Sequence, residues 1–481
     1  MVARIRPVLA VLLGIVLTGS LTTSGAFAQR TTAPRTAATL ASSQDGIGDP
    51  YYPTDGNGGY DVTSYDIAVG YHPTGHTIAG RTTVTATATE ELAAFNLDLD
   101  GLVVTAVTVA GQPATWVREG EHELVISPAT PLAPGAFTVV VRYHGDLHNI
   151  DDGGAPSGFI VGGGDKDAGY LEGEPHGCAT WFPCNDHPTD KATFRLAITV
   201  PRPLALVAVG VQGPTTSTTQ DGAPARTFHW RMSEPIATYM VAWYADRLTF
   251  ERSHLADGTP VVSAYGPGHA AAMERESRLP EIIRVLARRW GPYPAPAAGG
   301  MFVADSIPYD LETYGRPVYS TGTGLLTIVH ENGHMWWGDH IALHRWRDIC
   351  FNECLASYSE WIWREHAGTD LDKQYRQGVR DGGATLFAGK LYDMGAGHEF
   401  DWPVYVKGKY FVHALRNKIG DERFFKAMRT IQRRYGGGHL SMVAWRDALQ
   451  RITGVKLTSF WREWVFETGR PSRANLFPGN L

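Results

Sequence analysis

The chain has 481 residues, 43% of them hydrophobic and 19% charged, a globular composition too long for a single core, so two or three domains are expected. The formal net charge of -6 comes from mixed signs with no long basic run. This argues against a nucleic-acid surface or a polybasic membrane anchor and points to small molecules or peptides as partners.

In chain order, Arg4 and Arg6 precede an apolar run from Val8 to Leu17, and Ala26-Phe27-Ala28 offers small residues for cleavage. Residues 1–28 therefore read as a secretory signal peptide. The run is too short to span a bilayer, no other segment reaches about 18 uninterrupted apolar residues, and no lipid-modifiable cysteine follows. A secreted, extracellular protein with no stable membrane association is expected. Residues 29–48, rich in Thr, Ala, Ser and Arg, read as a disordered leader.

From Tyr51 to Phe250 the apolar residues alternate in short runs, such as Tyr65, Ile67, Val69, Tyr71 and Phe194, Leu196, Ile198, Val200. Turns such as Pro53-Thr54-Asp55-Gly56 separate them, so residues 49–250 are expected to form an N-terminal all-β domain. The period then becomes helical. Helices are predicted over Arg278–Trp290, Thr323–Asp339, Asn352–His366, Tyr405–Lys418, Asp421–Tyr435, Ser441–Thr453 and Thr458–Thr468, with strands near Met301–Ala304 and Pro317–Tyr319. Residues 251–481 thus form a mainly helical domain, and the fold class is α+β multidomain.

The four cysteines fall in two close pairs, Cys178 with Cys184 and Cys350 with Cys354. Export permits disulfides, and three connectivities are open alongside free buried thiols. A local Cys350–Cys354 bond is disfavoured, because residues one helical turn apart hold their Cβ atoms about 5–6 Å apart, beyond the roughly 4 Å a disulfide wants. The spacing with the histidines does not suit a thiolate zinc site.

The stretch HENGHMWWGDH, His330 to His340, carries the strongest chemical signal. On a helix His330 and His334 share a face and can present two imidazoles to one Zn2+ ion. Glu331 lies beside that ion, free to take a proton from water. Two third ligands are possible. His340 has the spacing of HExxHxxGxxH, but Trp337 stands where that pattern has its glycine, and Gly338 comes one place late. The other is Glu353, eighteen residues intervening after His334, on a helix that can return antiparallel to the first.

IVHENGHMWWGDH followed by WRDICFNECLASYSE resembles the aminopeptidase N-type zinc metallopeptidases, gluzincins with HExxH-x18-E, over about Gly48 to Trp464. The resemblance implies an N-terminal β saddle or sandwich followed by a thermolysin-like catalytic domain holding one Zn2+ on His330, His334 and Glu353. In IPYDLETYGRPVY it places Glu312 where the family binds the substrate amine, although Tyr309-Asp310-Leu311 replaces a Gly-Ala-Met type sequence. In GEPHGCATWFPCNDHPTDKATF it makes Glu174 the second amine anchor, while His176, Asp186 and His187 read as structural. In VYVKGKYFVHALR it makes Tyr405 the oxyanion donor. Glu360, seven residues after Glu353 and on its face, is a candidate to steady a zinc histidine.

Asn332-Gly333 replaces the family's usual apolar pair, at an intrinsic helix cost of about 1–1.5 kcal/mol. The resemblance implies a secreted zinc aminopeptidase acting on peptides with a free N-terminus, in a small form without the long C-terminal helical domain of many relatives. Two alternatives stay open. One is a thermolysin-like zinc endopeptidase, and the other is a catalytically degenerate secreted binding protein. The sequence offers no interface signal for an oligomer.

Overall fold

The computed structural model describes residues 46–150, 156–162, 166–305, 307 and 309–481. The signal peptide (1–28) and residues 29–45 of the leader lie outside the described residues. Residues 46–48, expected to belong to the leader, are held instead: Ile47 donates its N–H to the Asp55 carbonyl and accepts from Arg345.

The alternating runs build an eight-stranded sheet in which Tyr60–His72 is central. It pairs antiparallel with Thr77–Ala88 and parallel with Ala192–Pro201. The parallel register sets Tyr65 beside Phe194, Ile67 beside Leu196 and Val69 beside Ile198, so two stripes predicted separately form one buried face. Smaller sheets pack against it. In a five-stranded sheet, Gly169–Glu172 lies between Ser157–Val161 and Trp243–Asp246 and carries the chain towards the cleft.

β structure continues past position 250. Thr249–His254, Pro260–Tyr265, Met301–Phe302 and Val318–Tyr319 form a mixed four-stranded sheet that starts the second half of the molecule. Helices follow. Leu325–His334 is shorter than the predicted Thr323–Asp339, because the chain tightens after Met335 and turns at Gly338, whose φ is +120°. A break at Val406, whose φ of −101° and ψ of −65° are distorted from the helical mean, divides the predicted Tyr405–Lys418 into Trp402–Tyr405 and Lys407–Ile419. Ala270–Glu276 and Leu371–Asp381 were not predicted. The latter buries a thin stripe of Leu371, Tyr375 and Val379, too sparse to stand out from its polar neighbours.

Both cysteine pairs are disulfides, Cys178–Cys184 and Cys350–Cys354. The second corrects the expectation against a local bond. Cys350 is the first residue of the helix Cys350–His366, directly after a 3₁₀ turn at Trp346–Asp348. Cys350 lies in the first helical turn, where its own N–H has no i→i−4 partner within the helix, and the Cα atoms approach to 4.8 Å, within disulfide range.

Two cations, half-buried Lys191 and buried Arg316, stitch the β half to the helical half. Lys191 donates to the carbonyls of Asp339 and His340 at 2.7 and 3.0 Å. Arg316 donates to Val262 and Gly210 at 2.7 and 3.1 Å, and to Ala208, with its guanidinium over the Trp230 ring. A continuous apolar core runs through both halves.

Candidate active site

The helices Leu325–His334 and Cys350–His366 pack at very short range, and the Asn-Gly pair explains how. A Cβ on Gly333 would fall 2.7 Å from Ser359 Oγ and 3.2 Å from the Ala356 backbone, so glycine sets the approach of the two helices. Asn332, fully buried, donates to the Ile328 carbonyl at 2.8 Å and the Tyr319 hydroxyl at 3.1 Å. The intrinsic helix cost of the pair is thus offset by tertiary contacts that an apolar pair could not make in this packing.

This approach brings together His330, His334 and Glu353. His330 Nε2 lies 3.2 Å from His334 Nε2 and 3.1 Å from Glu353 Oε2, and His334 Nε2 lies 3.5 Å from the same oxygen. Nitrogen and oxygen ligands about 2.0–2.2 Å from a tetrahedral zinc stand about 3.3–3.5 Å apart, so this donor set fits the ion. The outer ring nitrogens are already engaged: His330 Nδ1 with Glu360 at 3.3 Å and His334 Nδ1 with the Trp337 carbonyl at 3.1 Å, which aims both Nε2 atoms at one point. Lys409 holds Glu360 in turn at 3.2 Å.

The electrostatics agree. Burial lowers the affinity of each imidazole for a proton, yet the surrounding carboxylates outweigh it and raise both histidines to about 9. Glu353 is pushed up by burial and pulled further down by the two histidines, ending well below the usual carboxylate range. A field that favours positive charge at this point favours a metal cation equally.

His340 is not part of the cluster. Its ring lies against Gly436, where a Cβ would fall 2.1 Å from its Nε2, and the turn at Gly338 directs it away. Of the two candidates considered, Glu353 is the one the fold brings beside the histidine pair.

The trio opens onto a cavity of about 720 Å³ also lined by Glu174, Asp310, Glu312, Glu331 and Tyr405. Burial, against the pull of His334, raises the Glu331 carboxyl well above its ordinary range, with Asp310, Glu312 and Glu353 adding to the rise. Burial, then Glu353, Glu174, Glu312 and Glu331, keep the Tyr405 phenol protonated; its ring centroid is 6.0 Å from that of His330. Glu312 accepts from the Tyr239 hydroxyl at 3.3 Å. Glu174 is half-buried, and its buried Oε1 has no hydrogen-bond partner among the described residues. Its carboxyl is raised by burial, then by Glu312, Glu353 and Glu331.

A model of the peptidase M1 N-terminal domain matches residues 62–240, and one of the peptidase family M1 domain matches residues 319–464. The chain belongs to peptidase family M1. Among solved M1 structures, the M1 zinc metallopeptidase from Deinococcus radiodurans superposes with a TM-score of 0.80 at 27% identity, covering 87% of this chain and 97% of that one. The yeast LTA4 hydrolase shares the fold at 18% identity and a TM-score of 0.68, covering 86% of this chain and 69% of that one.

Aminopeptidase N of Lactococcus lactis subsp. lactis is 22% identical over 427 residues, which are 82% of this chain and 49% of that protein. Aminopeptidase M1-C of Oryza sativa subsp. japonica is 22% identical over 408 residues, 78% and 44% respectively. The chain thus spans about half the length of these curated relatives. In this M1 chain, five of the seven site residues proposed from sequence, His330, His334, Glu353, Glu331 and Glu312, are buried, and the other two, Glu174 and Tyr405, are half-buried on the same cavity.

His176, Asp186 and His187 bond within the β half, to Asp55, Thr238 and Asp49 respectively. Residues the motifs do not announce also line the cavity: Tyr52, Glu399 and Asp401. Tyr52 donates to Glu399 across a separation of 347 residues, a pairing for which the sequence holds no local signal.

Proposed function

We propose that the chain is a zinc-dependent aminopeptidase that removes the N-terminal residue of peptides, and that residues 1–28 export it from the cell. His330, His334 and Glu353 would hold the zinc. When bound, the ion supplies a Lewis acid that polarises a carbonyl and acidifies water.

Glu331, one residue from His330 and facing the same cavity, takes the proton of the attacking water and delivers it to the leaving amine nitrogen. Its raised proton affinity suits both halves of that transfer. Tyr405, kept protonated, donates to the oxygen that gains negative charge during attack. Glu312 and Glu174 hold the α-ammonium of the first residue, and their distance from the metal donors restricts cleavage to the first peptide bond.

The observation that carries this reading is the pair Glu174 and Glu312 on the cavity wall beside the metal donors, with a buried Glu174 oxygen lacking a partner among the described residues. An endopeptidase has no need of such a cation-seeking pair at that position. Among the described residues no helix is long and apolar enough to cross a membrane.

The test is hydrolysis of aminoacyl-arylamides and their N-acetylated forms, with chelator and with zinc restored. Cleavage of free-amine substrates alone, lost on chelation and recovered with zinc, is expected. Cleavage of blocked substrates would refute the amine-anchor assignment. Export is checked by sequencing the N-terminus of protein recovered from the culture medium, expected at Gln29.

A further inference from the structure

Of the three metal donors, Glu353 alone stands in the first turn of its helix; His330 and His334 lie in the body and at the end of theirs. A first turn is held by fewer backbone bonds than the rest, because its leading N–H groups have no partner within the helix. No side chain caps this one. The Ile349 carbonyl takes both the Asn352 and the Glu353 N–H, at 2.9 and 3.0 Å. The side-chain amide of Asn352, buried directly before Glu353, has no hydrogen-bond partner among the described residues and so does not brace the turn.

What closes the turn is covalent. The Cys350–Cys354 disulfide joins the first helical residue to the fifth, and Glu353 lies on the stretch it encloses. Both cysteines are fully buried. The bond also touches the next element of the site: a Cβ on Gly408 would fall 2.6 Å from Cys354 Sγ and 3.1 Å from its Cα, so the helix Lys407–Ile419 lies directly on it. Tyr405 stands three residues before Gly408. Between them Lys407 is anchored by its Nζ on the Gly389 carbonyl at 2.7 Å.

We propose that the Cys350–Cys354 disulfide is a positioning element of the active site, holding the turn that presents Glu353 to the metal and, through Gly408, the spacing between that turn and the Tyr405 segment. The inference rests on the zinc aminopeptidase reading above, which supplies the roles of Glu353 and Tyr405. A donor on a turn that is formed only part of the time binds its ion more weakly in proportion to that fraction. The coupling is reciprocal, so a bond that strengthens zinc binding is made harder to reduce by zinc, and by the same factor.

One arm of the experiment uses the unaltered protein in glutathione redox buffers, with zinc saturating or removed by chelator. Each opening consumes two glutathione thiols and releases one glutathione disulfide, and alkylation with mass spectrometry counts the free thiols of each cysteine pair. Zinc is expected to raise the reducing power needed to open Cys350–Cys354 by about tenfold or more and to leave Cys178–Cys184 unmoved. The other arm compares Cys350→Ala/Cys354→Ala with Cys178→Ala/Cys184→Ala, at a temperature where circular dichroism shows both folded. Competition with a chromogenic chelator should find zinc affinity lowered by about tenfold or more in the first alone. At saturating zinc its kcat on aminoacyl-arylamides should fall by about tenfold with KM little changed, as expected of a looser Tyr405.

A first variant with lowered Tm but unchanged zinc affinity would make the bond merely structural and overturn the inference. So would zinc that protects both disulfides alike, or neither. If that variant fails to fold, the glutathione arm decides alone. Should no arylamide be cleaved by the wild type while zinc affinity still depends on the bond, the aminopeptidase reading would fail and the hold on Glu353 would stand.

Discussion

On one wall of the cavity, built by the helices Leu325–His334 and Cys350–His366, the outer atom of each imidazole is tied down: His330 Nδ1 to Glu360 and His334 Nδ1 to a carbonyl. On another wall, supplied by the turn after the strand Gly169–Glu172 and by the segment 309–312, the Glu174 Oε1 atom has no partner among the described residues. The first wall is finished before any substrate arrives, as metal ligands must be to hold their geometry. The second wall is left electrostatically incomplete, and a cationic substrate can complete it.

The sharpest break of this contrast removes the finished wall. His334→Ala should abolish zinc retention, measured by elemental analysis, together with activity, whereas Glu331→Gln should keep the zinc and lose about 10²–10⁴-fold in kcat. Loss of metal in the second variant would show that Glu331 serves the metal. Tyr405→Phe should lower kcat by about 10²–10³-fold with little change in KM, because its phenol acts on charge present only during reaction. An unchanged kcat would remove Tyr405 from the mechanism.

Glu360→Gln is expected to weaken zinc affinity by about 10–100-fold without emptying the site at saturating metal. Competition with a chromogenic chelator reads this directly. The smallest effect separates local from tertiary physics. Helix propensity alone makes Gly333→Ala stabilising by about 1 kcal/mol, while its clash with Ser359 and the Ala356 backbone makes it destabilising by about 1–3 kcal/mol. A lowered Tm is expected, and a raised one would mean that the helix pair relaxes freely.

The same divide explains what the sequence made legible. The spacing of four between His330 and His334 and of nineteen between His334 and Glu353 maps onto two antiparallel helices, so the metal donors could be read directly. The alternating stripes of Tyr65–Tyr71 and Phe194–Val200 announced strands, but nothing in them announced that the two would lie side by side in parallel.

Glu399 was invisible, because a lone acid in a loop reads as solvated until the fold shows what buries it. Gly333 read as a weakness for the same reason, since its cost is local and its benefit lies in another helix. The Cys350–Cys354 bond was missed because ideal helix spacing was applied to a residue at a helix start, where the geometry is looser.

The groups that converge on the cavity come from positions as far apart as Tyr52 and Tyr405. Lys191 and Arg316, which clamp the two halves together, also lie within that span. A chain still emerging from the ribosome therefore carries the metal motif long before it carries a site. It stays chemically silent towards its neighbours, and towards its own free N-terminus, until the last of these segments has been made and docked.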